Sequence, residues 1–419
     1  MATTLRDRLG LPKVGGRRRL VGAMLVDSLG SGLFLPFAII YFVKTSTMSP
    51  AVVGVGLSGA GLLALPVSPL IGPAVDRLGP KQIVLASNAL QAIGFIAYLW
   101  VGTIWLLIPF AFIVNAGQNM FWTANGALVT LAADPGERAR WFAMMRMLRN
   151  AGSGLGGLLA AVSVSAGSAA GYHALVIANA ASFVAAAACL LGWTPAKPPP
   201  EPTPRAKARR TGYRFMLADR AFVALMLLNV MLVLCATALT VTLSVYLIRD
   251  LHQAAWLAGT LFAFNTVIIV LAQSKITVAA EGRRTARVLQ LAAAVWAVAF
   301  LVAWLATPMP DLLAVPALFV VVAMWAIGQD IYSPSMNDLV AGIAPAGSRG
   351  RYFAVLQLTW GIARTIAPAV FLGLLDRGSQ WLWITLLTCS AILIVALPAA
   401  VVPLSDRAAE PGRERQVRR

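Results

Sequence analysis

Four ionisable side chains sit inside otherwise apolar stretches: Asp27, Arg149, Asp330 and Arg364. A charge within a lipid-spanning segment costs at least ~2.5 kcal/mol to insert, so such residues face a cavity or a partner and mark ion or substrate pathways. Asp27 lies eight residues past the basic cluster at 17–19, which at 1.5 Å per helical residue is ~12 Å into the membrane. A carboxylate there can exchange a charged partner for a proton or a cationic substrate. Arg149, eight residues past Trp141, reaches the same ~12 Å and is its expected partner. Asp330 and Arg364, each 13 residues from a basic helix end, reach ~20 Å and form the parallel expected couple in the second half. Arg146, one turn shallower than Arg149, can snorkel to the surface.

Polar and aromatic residues flank these charges at helical spacing. Gln118, Trp122 and Asn125 recur at i, i+4 and i+7, and Asp330, Ser333 and Asn337 do the same, with Gln329 and Tyr332 beside them. These two faces are expected to line a common cavity, with Phe34, Phe121 and Tyr246 as further wall residues. The alternative is hydrogen bonding between helices that serves packing alone. Asp338, near a helix end, reads as an interfacial or loop-pairing charge, and His173 and His252 as solvated residues near helix ends. Nothing resembles a nucleophile–base pair or a metal ligand set, so an enzyme is not expected. Cys189, Cys235 and Cys389 stand singly in apolar runs, without disulfide or metal spacing. The G-x-G-x-x-G matches at Gly54/Gly56/Gly59 and Gly152/Gly154/Gly157 follow no strand, and there is no Walker A pattern. Gly152 and Gly156 instead suit close helix approach in lipid. No cofactor is expected.

The elements that must position these residues follow from composition. The chain has 419 residues, 59% hydrophobic and 12% charged, half the charge of an average soluble protein, so its surface meets lipid. Segments long enough for the ~30 Å hydrocarbon layer fall at about 20–42, 51–75, 82–101, 105–131, 141–164 and 171–193, then at 219–248, 256–279, 286–307, 313–343, 351–375 and 381–402. The expected fold is all-α, twelve transmembrane helices in two six-helix bundles. The domains are 1–193 and 218–403, joined by a Pro-rich basic linker at 194–217 and followed by a tail at 404–419. Of 34 Lys and Arg, 28 fall in the tails and every second loop. That alternation places both termini in the cytoplasm and argues against nucleic-acid binding despite the net charge of +18. The first twenty residues are polar and basic with no cleavage site after the first apolar run, so that run reads as a retained span.

The halves share a repeat. Residues 117–143 and 328–354, offset by 211, are identical at ten of 27 positions without a gap, including Gly136/Gly347, Arg138/Arg349, Arg140/Arg351 and Phe142/Phe353. Duplication in so apolar a chain is a transporter signature.

The loop at 71–81, IGPAVDRLGPK, carries Gly72, Asp76, Arg77, Gly79 and Lys81. It resembles the hallmark loop of the major facilitator superfamily, with Pro80 where that family usually has Arg. Read from charge alone, Asp76 is an anion able to meet a facing helix N-terminus, and Arg77 a cation near Asp134 and Glu137. The resemblance implies a cytoplasmic latch between the halves, while 281–284 is a degenerate copy. The stretches RRRLVGAMLVDSLGSGLFLP and MRMLRNAGSGLGG are similar to bacterial drug-exporter-type members, although the helix 5 segment lacks the proline of the antiporter motif. The resemblance implies alternating access about a site between helices 1, 4, 7 and 10. The function expected is proton-coupled export of small organic compounds, amphipathic or cationic, by a monomer in the bacterial inner membrane. The expected partners are substrate, protons and lipid. The alternatives are a symporter or facilitator importing a nutrient, distinguishable by the count of cavity-facing charges, and, more distantly, a non-transporting sensor or scaffold.

Overall fold

The computed structural model describes residues 11–34, 37–134, 136–165, 169–194, 212–253, 256–345 and 347–416. Most of the expected linker, 195–211, lies outside the described residues, as do the first ten and the last three. All regular structure among the described residues is helical. The N-terminal half comprises α1 (Arg18–Phe34), α2 (Ala38–Thr45), α3 (Pro50–Ala64), α4 (Val67–Leu78), α5 (Pro80–Ala97), α6 (Ile104–Ala132), α7 (Arg138–Ser165) and α8 (Ala169–Leu191). The C-terminal half comprises α9 (Tyr213–Ala218), α10 (Arg220–Arg249), α11 (Trp256–Ala280), α12 (Thr285–Ala306), α13 (Asp311–Ile343), α14 (Arg349–Asp376) and α15 (Ser379–Gln416).

Among the described residues, nine helices are long and apolar enough to cross a membrane: α5, α6, α8 and α10 to α15. Two bent pairs qualify jointly, α1–α2 at 50° and α3–α4 at 44°. Helix α7 is 28 residues long but carries Arg138, Arg140, Arg146 and Arg149. Leucines and valines such as Leu70, Leu158 and Val395 stand exposed on the flanks, as lipid-facing positions should.

The runs expected as single helices at 20–42 and 51–75 are each two helices. In the second, Pro66 supplies no amide proton, so Leu62 O is served by Leu65 N at 3.2 Å and the axis turns. Asn119 Nδ2 of α6 donates to the neighbouring Ala64 O at 2.8 Å, satisfying a carbonyl at the bend. The last residues of the expected linker are also ordered. Helix α9 ends at Asp219, whose side chain accepts from Ala221 N and Phe222 N and so caps α10.

Helix pairing repeats between halves. Helix α1 packs on α7 and α8 as α10 packs on α14 and α15; α5 packs on α6 and α8 as α12 packs on α13 and α15; α3 packs on α6 as α11 packs on α13. The halves meet through two pairs of equivalent contacts, α4 on α14 with α11 on α7, and α6 on α14 with α13 on α7. The matched turns ahead of α7 and α14 both contain a left-handed glycine, Gly136 at φ 86° and Gly347 at φ 85°. That is a conformation only glycine adopts without strain, so the repeat's conserved spacing is a conserved turn.

Candidate substrate and coupling site

Between the halves lies a cavity of about 290 Å³. Helices α1, α6 and α7 contribute Asp27, Phe121, Trp122, Asn125, Arg146 and Arg149, and α13 and α14 contribute Ser333, Asn337, Trp360 and Arg364. Asp27 is 4% exposed and belongs to the lining of this cavity. Its partner is Arg149, whose Nη1 donates to Asp27 Oδ2 at 3.3 Å. Arg149 also stacks on Trp122, with Cζ 4.4 Å from the ring centroid. The expected first couple is therefore present. Close packing of α1 on α7 brings it together: a Cβ on Gly152 would lie 2.7 Å from Ser28 Cβ, and one on Gly156 would collide with the α1 backbone.

The expected second couple is not made. Asp330 pairs across the halves with Arg146, Nε to Oδ1 at 3.2 Å, and the same guanidinium donates to Gln329 Oε1 at 2.7 Å. Arg146 thus reaches into the bundle and does not snorkel outward. Its helix face points at α13, so the nearest buried carboxylate captures it. Asp330 opens not on the central cavity but on a second one of about 280 Å³ at the basic end of the bundle. Arg364 lies over Trp360, Cζ 5.0 Å from the ring, and lines the central cavity.

Five expected wall residues are placed elsewhere. Phe34 packs in an aromatic cluster with Tyr41, Phe42, Phe95 and Tyr98, centroids 5.0–6.4 Å away. Tyr246 is buried against Trp383 and bonds Thr307 at 2.8 Å. Tyr332 donates to Asn229 Oδ1 at 2.7 Å behind the wall, and Gln329 holds Arg146 and Ala236 O. Gln118 is half-buried and outside the cavity lining. Except at Gln118, aromatic stacking or a helix-to-helix hydrogen bond won over cavity exposure, as i, i+4 spacing fixes a face but not what it meets. Phe121, Trp122, Asn125, Ser333 and Asn337 do line the cavity.

At the basic end, Asp76 accepts from Gly350 N at 2.6 Å and from Arg351 Nη1 at 3.1 Å, so it does meet the N-terminus of α14. Across the pseudo-twofold, Glu281 of the degenerate loop holds Arg140 through two hydrogen bonds, and Arg138 pairs with Asp338 at 3.4 Å. The rings of Phe142 and Phe353, repeat-related, lie 6.3 Å apart in the cavity lining. Arg77 is exposed, and the acids expected near it are held by others: Asp134 by Arg17 at 2.8 Å, Glu137 by Lys13 N at 3.0 Å. Lys81 Nζ donates to the last carbonyls of its own half, Leu191 O and Trp193 O. Tyr213 of α9 donates to Pro69 O beside the latch, and burial pushes its hydroxyl pKa up to about 12, Arg351 opposing and Asp76 adding.

A profile described as Major Facilitator Superfamily matches residues 20–368. The chain belongs to the major facilitator superfamily. It is 26% identical over 359 residues to a protein named multidrug resistance protein MdtH from Aeromonas salmonicida, covering 82% of this chain and 83% of that one. It is also 26% identical over 346 residues to the protein of that name from Klebsiella pneumoniae strain 342, covering 82% of each. A bacterial homologue of the iron transporter ferroportin, solved in an outward-facing state, superposes with TM-score 0.76 at 15% identity over 92% of this chain and 99% of that one. At that identity the likeness concerns the fold. This superfamily member is a multi-pass membrane transporter and not an enzyme.

The superfamily member's site contains residues that spacing did not flag: Arg146 as a cross-half partner, and Asn150, Gln357 and Trp360 as wall. Trp360 carried a signal. It stands at the repeat equivalent of Arg149 and four residues before Arg364, hence on the same face.

Proposed function

We propose that the chain is a secondary transporter that exports small organic compounds from the bacterial cytoplasm, driven by proton exchange at Asp27. The observation that carries this reading is the Asp27–Arg149 pair, whose acid opens into a cavity between the halves and is held by one 3.3 Å contact. A proton on Asp27 frees Arg149, and its loss restores the pair. The charge at the cavity wall therefore differs between protonation states, and a ligand moves the equilibrium of facing states only through such a difference. The relatives named for multidrug resistance support export. The pattern of basic loops supports both termini in the cytoplasm. Twelve spans follow if α7 and both bent pairs each cross once, in domains 1–193 and 218–403 joined by the linker, in a monomer whose halves rock about the cavity.

The test is a pH jump on proteoliposomes, comparing wild type with Asp27→Asn. Wild type should move substrate against its gradient when the proton gradient is applied, and the variant should retain only exchange down the substrate gradient. Equal pumping by Asp27→Asn refutes the coupling role. One observation favours a second reading, proton-linked uptake: the cavity wall has three guanidiniums to one carboxylate. A proton on Asp27 and an anion near Arg149 would reinforce one another. The direction of accumulation in the same assay decides between the two.

A further inference from the structure

The ionisable residues lining the central cavity are Asp27, Arg146, Arg149 and Arg364. Asp27 takes Arg149, and Asp330, behind the wall, takes Arg146. Among the described residues no carboxylate pairs with Arg364. It stands 15 residues into the 28-residue helix α14, at the middle of a membrane-crossing segment. Its one described polar contact is the face of Trp360, and a ring quadrupole eases a cation's desolvation without cancelling its charge. Opposite, from the other half, Arg149 repeats the arrangement over Trp122. Two guanidiniums, each laid on an indole, thus line one space from opposite halves. Their mutual repulsion in a poorly solvated site is relieved by an anion placed between them.

We propose that this cavity binds small organic anions, with the anionic group, a carboxylate, sulfonate or phosphate, on Arg364 and the apolar body against Trp360, Trp122 and Phe121. The inference rests on the reading of the cavity as the transport site and names its substrate class. It reverses the charge expected when Asp27 was taken as the dominant group, because Arg149 already neutralises Asp27. A cationic ligand would meet the surplus guanidinium with no acid free to receive it. An anion gains charge-assisted bonds to a planar donor fork. It also bridges the halves, since Arg149 and Arg364 belong to different ones, so it is held best when the halves approach.

Equilibrium dialysis of the full chain in detergent micelles, with empty micelles subtracted, tests this using 2-naphthoate, 2-naphthamide and 2-naphthylmethylammonium, which share one ring system. Wild type should bind the carboxylate about tenfold or more tightly than the amide, as one charge-assisted interaction warrants, and the ammonium most weakly. Arg364→Gln should bring carboxylate and amide within about twofold, and Arg364→Lys should keep most of the preference. Equal or tighter binding of the amide or ammonium, or an unchanged preference in Arg364→Gln, overturns the charge assignment and leaves the cavity as the site. Binding of none of the three, or binding that Trp360→Leu and Trp122→Leu leave unaltered, overturns the cavity reading beneath it. If Arg364→Gln is not monodisperse, the order of the three probes on wild type alone decides.

Discussion

Breaking the latch at Asp76 should open the basic face of the transporter, and breaking its pseudo-symmetric counterpart at Glu281 should not. Asp76 is nearly enclosed, its side chain 5% exposed and that of Arg351 12%. It accepts two hydrogen bonds from the opposite half, one from a helix N-terminal amide and one from a guanidinium. At 1.5–3 kcal/mol for a bond involving a charged group, less the solvation Asp76 regains when exposed, about 3 kcal/mol holds this side shut. Asp76→Asn keeps an oxygen for Gly350 N but loses the charge and the Arg351 bond, so it should shift the open-to-closed ratio about tenfold or more. Glu281 and Arg140 are 31% and 23% exposed, and ion pairs of that kind contribute about 0–1 kcal/mol. Glu281→Gln should shift the ratio less than about fivefold. Spin labels at Leu78 and Arg283, exposed residues of opposite halves, report the separation by pulsed dipolar spectroscopy. A short distance should dominate in wild type and Glu281→Gln, and a population several ångströms longer should appear in Asp76→Asn. If Glu281→Gln opens this face as far as Asp76→Asn does, burial is not what ranks the two latches and the reasoning fails.

Gly350→Ala should mimic Asp76→Asn, because its Cβ would lie 2.6 Å from Val75 Cβ and 2.9 Å from Asp76 Oδ1; the same spin-label pair reads it, and a wild-type distance distribution counts against the close approach. Arg146→Gln strands a buried Asp330 and should lower the melting temperature in detergent by several degrees, while Arg146→Gln combined with Asp330→Asn recovers most of that loss, since an unpaired buried charge costs more than no pair. Additive losses in the double variant would show that the two residues do not interact. Tyr213 titrates near 10 when unfolded and about 12 in place, so the folded latch binds more protons between those values and loses stability as pH rises from 10 to 12. Tyr213→Phe should flatten the melting profile across that window, and an unchanged slope refutes the contribution.

Duplication, helix positions and the Asp76 latch were legible because each depends on local sequence: long apolar runs, a gapless repeat, and glycines at left-handed turns. The Asp27–Arg149 couple was legible because both residues belong to one half and reach equal depth on helices that small residues bring together. What crosses between halves at the cavity was not. Asp330 and Arg364 also share a depth, yet depth says nothing of rotation about the helix axis, and Asp330 faces α7. The same gap misplaced Phe34 and Tyr246, which aromatic neighbours drew into packing. The kink at Pro66 was missed because hydropathy averages over a residue whose missing amide proton bends the axis.

Carrying the offset of 211 residues along α6, α7, α13 and α14 shows where the duplication has been broken. Asn119 matches Asp330, Arg146 matches Gln357, Arg149 matches Trp360, and Ser153 matches Arg364. Every charge in or beside the cavity on these helices has an uncharged counterpart in the other half. The turns, helix pairing and paired latches keep the twofold. Two like halves whose matched turns lie at one end of the bundle are related by an axis along the membrane normal, so the twofold alone would present the same groups to the cavity from both walls. On the proposed function, the groups that break this equivalence, Arg146, Arg149, Asp330 and Arg364, with Asp27 from α1, are the ones that discriminate proton and substrate. A charge moved to its repeat-related position would keep the fold's packing and change what each facing state binds. On that reading, the chemistry of this transporter resides where its two halves have ceased to match.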